Sequence, residues 1–448
     1  MNLAVRNARL DGDTVAVRVE DGRITALGPD VKAEPGDDVI DAAGMALLPG
    51  LVNGHTHAAM TLMRGYGGDL PLMQWLQDKI FPVEAKLTAE DVYWGTRLAA
   101  VEMIRSGTVR FWDMYWQPEA VARAVGDAGI RASVALPLVD GLDAGKSDAL
   151  RADAERSLDA LADAGPLVAA TLGPHSIYLV SENSLRWVAE LSSERDVPVH
   201  IHLSETEGEV QDCVTAHGVR PAAYLDRIGV LSPRAILAHG VWLDDDELAL
   251  IAERGATIVT TPVSNLKLAV GGVFSYAKAS AHGIPVGLGT DGASSNNSLD
   301  LFQDMKHLAL VQKHAERDPA AMPATEAWAV ATGRRAPALA QPGRIAVGEP
   351  ADFLLVRSDA PELTPGDLIA NLVYSAAGAV VDTTVVAGNA LMRGGEIAGE
   401  DEVRARVLAS ARRLGVSELA GRLQRLRGGE QFAQARLEVL EGKGVVVG

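Results

Sequence analysis

The chain lacks most of the features that bring a protein to membranes, nucleic acids or oxidising compartments. Cys213 is its only cysteine, so an intrachain disulfide is excluded and a reducing compartment suits it. Basic residues are few, since 41 Lys and Arg against 59 Asp and Glu give a net charge of −18 that disfavours phosphate backbones and anionic lipids. No stretch reaches the roughly 18 apolar residues of a membrane span, and the first residues lack the apolar run of a signal peptide. We therefore expect a cytoplasmic protein that binds neither nucleic acid nor membrane.

The overall amino-acid composition is typical of a globular protein with a large core. The chain has 448 residues, of which 48 % are hydrophobic and 22 % are charged. This length is roughly two to three times that of a typical domain, but an α/β barrel can absorb most of it in a single unit. We expect one large domain and one small domain.

Both ends of the chain have the pattern of short antiparallel strands. Residues 1–46 contain alternating runs separated by the turn sequences D-G-D and E-D-G. Strand-like runs return late in the chain as F-L-L-V and V-V-D-T-T-V-V, and A-G-N-A at 387–390 predicts a hairpin turn. We predict a small β-sandwich domain from residues 1–46 and 343–398, followed by a C-terminal helical extension over 399–448 with helix over 400–437.

The region between these ends, residues 47–342, alternates short apolar runs with Ala-rich stretches of helical period. One predicted helix has Thr88 as its N-cap, Asp91 to complete a capping box, and Gly107 at its end. Strands that alternate with helices in this way indicate α/β architecture and a closed (β/α)8 TIM barrel. The eight predicted strands cover residues 47–53, 108–114, 131–138, 168–175, 198–205, 235–241, 256–262 and 285–291.

Histidines and carboxylates follow many of the predicted strands. Because function in such barrels is built at the carboxyl ends of the strands, we expect these side chains to meet at one mouth. His55 and His57 follow strand one, whereas the others end their strands: His175 strand four, His202 and Glu205 strand five, His239 strand six, and Asp291 strand eight.

Four of these residues make a ligand set for a divalent transition metal. Zinc takes three or four nitrogen and oxygen ligands and, in catalytic sites, leaves one position for water. Residues i and i+2 of an extended segment project to the same side, so His55 and His57 can bind one ion together. With His202 and Asp291 they predict a site for zinc or another divalent transition ion.

The same mouth offers groups for acid–base catalysis. A divalent ion lowers the pKa of bound water into the neutral range, and His239 or Asp291 is then a candidate proton acceptor. Glu205, three residues beyond His202, is the candidate proton donor to the substrate. His200 shares the H-x-H spacing with His202 but lies one layer deeper in the barrel, so we predict a buried, hydrogen-bonded histidine.

Several ordered motifs resemble those of a known family. They are P-G-L-V-N-G-H-T-H, V-H-I-H-L-S-E-T, A-H-G, T-P-V-S-N-L-K-L and G-L-G-T-D-G-A-S-S-N-N. Over residues 1–400 the chain resembles the amidohydrolase superfamily, in particular its branch of 5′-methylthioadenosine/S-adenosylhomocysteine deaminases and triazine chlorohydrolases. Relatives with two metals usually bridge them with a carboxylated lysine late in strand four, whereas this strand ends G-P-H-S, which favours one metal.

The resemblance implies that the same four residues bind one zinc or iron ion per chain, with zinc expected in preference to iron, and it adds roles for the other residues. In these deaminases the glutamate that matches Glu205 protonates the purine ring, and the histidine that matches His239 orients or deprotonates the water. The glutamate that matches Glu84, in F-P-V-E, binds the ribose. The histidine that matches His175 contacts the nucleoside, and Trp75 is expected to stack near the base or the 5′ substituent.

One departure from the family pattern bears on the substrate. Relatives that deaminate S-adenosylhomocysteine tend to carry an arginine shortly before the L-V-D that follows strand three, where this chain has Pro137. A pocket without that guanidinium lacks a bidentate partner for a substrate carboxylate, unless Arg151 compensates. We therefore expect adenosine, 5′-deoxyadenosine or 5′-methylthioadenosine, rather than S-adenosylhomocysteine, to be converted to the inosine analogue and ammonia.

Two other functions stay open at this point. One is an aminohydrolase or chlorohydrolase that acts on guanine, a pterin or an s-triazine, and the other is a non-catalytic scaffold with the same fold. Glu84 favours a riboside because a bare heterocycle has no diol to bind, and the complete ligand set disfavours a scaffold. We expect a small-molecule substrate as the partner, and a homo-oligomer.

Overall fold

The computed structural model describes residues 2–339 and 344–417. Within these residues the strands form two separate sheets of eight strands each. In chain order the strands are β1 Leu3–Leu10, β2 Asp13–Glu20, β3 Arg23–Gly28, β4 Asp38–Asp41, β5 Met45–Pro49, β6 Leu51–Thr56, β7 Thr108–Met114, β8 Arg131–Leu138, β9 Val168–Pro174, β10 Val199–Leu203, β11 Ala235–His239, β12 Thr257–Thr260, β13 Val286–Leu288, β14 Phe353–Arg357, β15 Val381–Val386 and β16 Asn389–Met392.

The first sheet is assembled from both ends of the chain. Its order is β16-β15-β14-β5-β1-β2-β3, with β4 paired to β1, and most of its pairs are antiparallel. The two chain ends meet where β5 pairs with β14, which sets Leu47 opposite Leu355. The backbone N–H of Ile24 donates to the carbonyl of Glu349 at 3.0 Å, which brings β3 back towards β14. The sheet therefore encloses its own apolar core, to which Val17 and Phe353 contribute.

The second sheet is the predicted barrel. Strands β6 to β13 are parallel and lie side by side in chain order, with helices between them, so the predicted (β/α)8 architecture is confirmed. Where β13 returns to β6, Asn53 Nδ2 donates to Thr290 Oγ1 at 2.7 Å and Thr290 N–H donates to Asn53 Oδ1 at 3.1 Å. A Cβ at Gly289 would lie 2.9 Å from the backbone nitrogen of His55, so only glycine allows this close approach. These contacts fix His55 beside the end of β13.

The strand predicted over 47–53 is two strands in the structure. β5 enters the small sheet and β6 enters the barrel, so the change of sheet falls at Gly50. A Cβ at Gly50 would lie 2.3 Å from Cγ1 of Val109, so the chain can turn against the barrel only with glycine there. The predicted limits of the two domains, 46/47 and 342/343, stay predictions.

Helices cover the outside of the barrel. The helix predicted to start at Thr88 does so, and the capping box with Asp91 is present. The helices that surround the barrel are Ala89–Arg105, Pro118–Ala128, Ser147–Ala162, Glu182–Arg195, Glu207–His217, Pro221–Arg227, Asp245–Arg254, Pro262–Lys267, Tyr276–Ala281, Leu301–Glu316 and Ala324–Ala331.

Two further helices lie outside the barrel repeat. Leu368–Tyr374 precedes β15, and Glu400–Leu414 packs on Ala89–Arg105, where Arg413 pairs with Asp91. The helix predicted over 400–437 thus ends at Leu414, and the part of that prediction beyond residue 417 lies outside the described residues. In the described ranges, no helix is both long and apolar enough to cross a membrane.

Candidate active site

The four predicted metal ligands meet at the carboxyl ends of the barrel strands. His55 lies near the end of β6, His202 lies in β10, and His57 and Asp291 follow β6 and β13. The candidate ligand atoms of His55, His57 and His202 lie within 4.8 Å of one another. Asp291 Oδ1 lies 3.4 Å from Nε2 of His55 and 3.2 Å from Nε2 of His57. The candidate ligand atoms of His55, His239 and Asp291 also lie within 4.8 Å of one another, so a small cation beside His55 could take its ligands from these two groups.

The hydrogen bonds of the histidines fit a metal site. Nδ1 of His57 donates to the carbonyl of Met114 at 2.7 Å, and Nδ1 of His202 donates to the carbonyl of His175 at 2.6 Å. A proton on Nδ1 leaves the lone pair of Nε2 for a metal, which is the usual arrangement of ligating histidines. Nε2 of His55 is buried and has no hydrogen-bond partner in the described part of the chain. The residues present thus fit a divalent ion.

Three further residues hold the ligands in place. Nδ1 of His55 is 2.8 Å from Nε2 of His200, so His200 is buried and hydrogen-bonded, as the sequence predicted. Asp291 has a φ of 63° and its Oδ2 accepts hydrogen bonds from the hydroxyls of Ser264 and Ser295, both at 2.6 Å. These bonds leave Oδ1 of Asp291 to face the histidines.

The carboxylate and the imidazole predicted for acid–base chemistry lie side by side. Leu203 is opposite His239 in the β10–β11 pair, and Oε2 of Glu205 lies 3.9 Å from Nε2 of His239. Nδ1 of His239 donates to Oδ1 of Asn265 at 2.9 Å, so the neutral imidazole has its lone pair on Nε2, towards Glu205. The two groups can therefore exchange protons with one bound molecule.

Burial and charge shift the pKa values of the site. Burial raises the pKa of Glu205 above its usual value, which favours the neutral acid, although a protonated His239 would oppose this. Burial lowers the pKa of His175 to about 3, so its imidazole is neutral. Burial also lowers the pKa of His57, but the hydrogen bond and charge of Asp291 outweigh it and raise that pKa to about 9. A cation bound at Nε2 would take the place of that proton.

A cavity of about 550 Å³ opens above the cluster. This volume suits a drug-sized ligand such as a nucleoside. Its wall includes the residues predicted to bind substrate, namely Trp75, Glu84, His175 and Glu205. Pro137 and Val139 also line it, whereas Arg151 lies on an outer helix with its guanidinium 5.5 Å from the ring of Trp187. Among the described residues no lysine or arginine lines this cavity.

The segment that follows β6 carries Trp75 and Glu84. Short helical turns run from Leu72–Trp75 through a π-helical turn, Leu76–Ile80, into Phe81–Glu84. Trp75 is only 4 % exposed, so it packs inside the mouth rather than on the surface. Oε2 of Glu84 accepts a hydrogen bond from Nε1 of Trp116 at 3.1 Å, and burial raises the pKa of this carboxyl.

Several residues of the site were not identified from the sequence. Asn265, Ser264 and Ser295 orient His239 and Asp291, and Trp116 binds Glu84. Ser264 and Asn265 belong to T-P-V-S-N, a motif of the resemblance to which no role was given. Their position directly after β12, at the carboxyl end of a barrel strand, is the signal that could have identified them.

The fold and the site together define a class of protein: a barrel whose mouth can bind a metal ion and carry out acid–base chemistry. A model described as the amidohydrolase family matches residues 46–391. The chain is 49 % identical over 383 residues to a 5′-deoxyadenosine deaminase of Methanoregula boonei, which covers 84 % of this chain and 86 % of the relative.

Two further comparisons agree. A 5-methylthioadenosine/S-adenosylhomocysteine deaminase 1 of Archaeoglobus fulgidus is 43 % identical over 389 residues, with 86 % of this chain and 91 % of the relative covered. An adenosine deaminase structure from Xanthomonas campestris, with bound zinc, is 34 % identical with a TM-score of 0.84 and covers 90 % and 94 % of the two chains. The chain belongs to the amidohydrolase family, whose members are metal-dependent.

Proposed function

We propose that the chain is a metal-dependent hydrolytic deaminase of adenine nucleosides, which converts them to the inosine analogue and releases ammonia. The observation that carries this proposal is the placement of Glu205 and His239, 3.9 Å apart, beside the histidine and aspartate cluster at the floor of the cavity. The names of the relatives from Methanoregula boonei and Archaeoglobus fulgidus support an adenosine-type substrate.

The reaction adds water across the C6–N1 bond of the purine and then expels ammonia, so it needs both a proton donor and a proton acceptor. Glu205 donates its carboxyl proton to ring nitrogen N1. His239, with its lone pair on Nε2, accepts the proton of the attacking water, and Asp291 is the alternative acceptor. The acceptor then passes this proton to the amino group, which leaves as ammonia, while the C6 hydroxyl returns a proton to Glu205. His55, His57, His202 and Asp291 would hold one divalent ion per chain, zinc in preference to iron. When bound, that ion lowers the pKa of water to near neutrality.

The nucleoside sits between the two sides of the cavity. Glu84 accepts hydrogen bonds from the ribose hydroxyls, and Trp75 packs against the base or the 5′ substituent. His175 contacts the nucleoside with a neutral ring, in keeping with its lowered pKa of about 3. The second candidate, a hydrolase of guanine, pterins or triazines, leaves the half-buried Glu84 without a diol to bind.

A charged 5′ substituent should be a poor fit, because no lysine or arginine of the described chain lines the cavity. We expect kcat/KM for 5′-deoxyadenosine and 5′-methylthioadenosine to exceed that for S-adenosylhomocysteine by at least about 10-fold, since an unpaired buried charge costs more than 1 kcal/mol. The measurement is ammonia release across these three nucleosides. A Val139→Arg variant adds a guanidinium to the cavity wall. It should lower the ratio of kcat/KM for the two neutral nucleosides to kcat/KM for S-adenosylhomocysteine. Equal kcat/KM values for the three nucleosides in the wild type would contradict the claim that the cavity lacks a partner for a charged substituent.

Replacing Glu84 with Gln should weaken the binding of ribosides. We expect KM for adenosine to rise by about 10-fold or more, because hydrogen bonds to a charged acceptor contribute about 1.5–3 kcal/mol. The control substrate is 2′,3′-dideoxyadenosine, which has no diol, so its KM should change little between the wild type and the variant. A similar rise in KM for both substrates would show that Glu84 does not bind the ribose.

Three further expectations from the sequence also stay predictions, besides the site residues and the single ion per chain. They are the two-domain division with a C-terminal extension, a homo-oligomer and a cytoplasmic location. The family comparison supports a small-molecule substrate, and the assembly can be determined by light scattering on the purified protein.

A further inference from the structure

Glu209 makes an unusual pair of contacts with the backbone that carries Glu205. Its Oε1 accepts the N–H of Ser204 and its Oε2 accepts the N–H of Glu205, both at 2.8 Å. Glu209 is 6 % exposed, so water does not replace these bonds. Both partners are donors, and a carboxylate is the side chain that can accept from both at once.

These contacts are not ordinary helix capping. Glu209 is the third residue of the helix Glu207–His217, whose N-cap is Thr206, and the hydroxyl of Thr206 already accepts the N–H of Glu209 at 3.1 Å. A glutamate at this position usually bonds back to the N–H of the N-cap residue itself. Here it reaches further, to the two residues that precede the N-cap.

The segment held by Glu209 is strained. Ser204 has a φ of 50°, in the left-handed region that L-residues other than Asn, Asp and Gly rarely adopt. This conformation turns the chain at the end of β10 and directs Glu205 towards His239, with Oε2 at 3.9 Å from Nε2. The carbonyl of Ser204 also accepts the N–H of Trp242, at 2.9 Å. The hydrogen bonds to Glu209 stabilise this backbone conformation of Ser204, so we expect it to be less populated without them.

We propose that Glu209 is a positioning residue for Glu205: its carboxylate holds the N–H groups of Ser204 and Glu205 and so fixes the side chain of Glu205 in the cavity. The inference rests on the proposed function, because it takes Glu205 as the proton donor. Among the described residues, Glu209 is neither part of the cavity lining nor one of the candidate metal ligands.

The test is Glu209→Gln, which keeps the size of the side chain but sets an amide donor against one of the two N–H donors. We expect kcat to fall by about 10- to 100-fold with KM little changed, since a misplacement of about 1 Å can cost 10²-fold. Zinc content, and the visible spectrum of the cobalt-substituted protein, should match the wild type. Glu207→Gln, on the exposed face of the same helix turn, is the matched control and should retain wild-type kcat.

A second variant, Glu209→Asp, keeps both acceptor oxygens on a shorter side chain and should recover part of the lost kcat. Wild-type kcat in Glu209→Gln would overturn the inference, and so would a loss of metal or of melting temperature that accounts for the whole effect. The same would hold if Asp and Gln at this position were equally impaired. The proposed function is tested separately, because it fails if Glu205→Gln remains active, whatever Glu209→Gln does.

Discussion

Glu205→Gln should lower kcat for adenine nucleosides by about 10³-fold while the protein keeps its metal, since a general acid contributes about 10²- to 10⁴-fold. Glutamine fills the same space and can donate a hydrogen bond, but it cannot release a proton to N1. Glu205 is buried beside His239, and burial raises its pKa, so the wild-type carboxyl can hold that proton. The measurement is steady-state turnover together with metal content.

The control for Glu205→Gln is again Glu207→Gln, which removes a neighbouring carboxylate from the exposed side of the chain. Both variants replace a carboxyl group with an amide in the same segment, so a non-specific effect of that replacement would appear in both. Near-wild-type turnover in Glu205→Gln would remove Glu205 from the proton-donor role. A loss of turnover accompanied by a loss of metal would instead place Glu205 in the metal site.

Removal of the metal should reduce activity to background, and adding zinc or iron back should restore it. Without the ion, water keeps a pKa of about 15.7 instead of about 7, so the nucleophile is lost. His202→Ala should lose both metal and activity, because Nε2 of His202 lies 3.4 Å from Nε2 of His57 in the cluster. Emission spectroscopy on the purified protein should find about one ion per chain, a stoichiometry that follows from a single four-ligand site.

His282→Ala is the matched control for His202→Ala. His282 is exposed and lies outside the cluster, so its removal should leave metal and activity unchanged. A chelated protein that keeps full turnover, or a His202→Ala variant that binds metal as well as the wild type does, would contradict the four-ligand site.

The sequence predicted those barrel strands well whose bounds are determined by neighbouring residues. The predicted strands 108–114 and 131–138 coincide with β7 and β8, because each is a compact β-rich run that follows a glycine or the end of a helix. The run at 47–53 was predicted as one strand because A-L-L-P-G-L-V is continuously apolar. Which sheet each half joins depends on pairing with β14 and β7, which are distant in sequence.

The candidate site likewise contains residues that the sequence could predict and residues that it could not. His55, His57, His202 and Asp291 were identified because histidine and aspartate at strand ends are rare and their chemistry is specific. Asn265, Ser264 and Ser295 were missed because serine and asparagine are common in loops for structural reasons. The role of Glu209 depends on a left-handed residue at Ser204, and a residue's φ cannot be read from a single sequence.

The central claim is that this cavity deaminates an adenine nucleoside, and one measurement tests it most directly. The metal-loaded protein is incubated with 5′-deoxyadenosine while adenine absorbance and released ammonia are followed together. The account predicts that the adenine chromophore is replaced by that of hypoxanthine, with one ammonia released per nucleoside consumed. An unchanged spectrum and no ammonia from 5′-deoxyadenosine, adenosine and 5′-methylthioadenosine alike, with the metal bound, would contradict it.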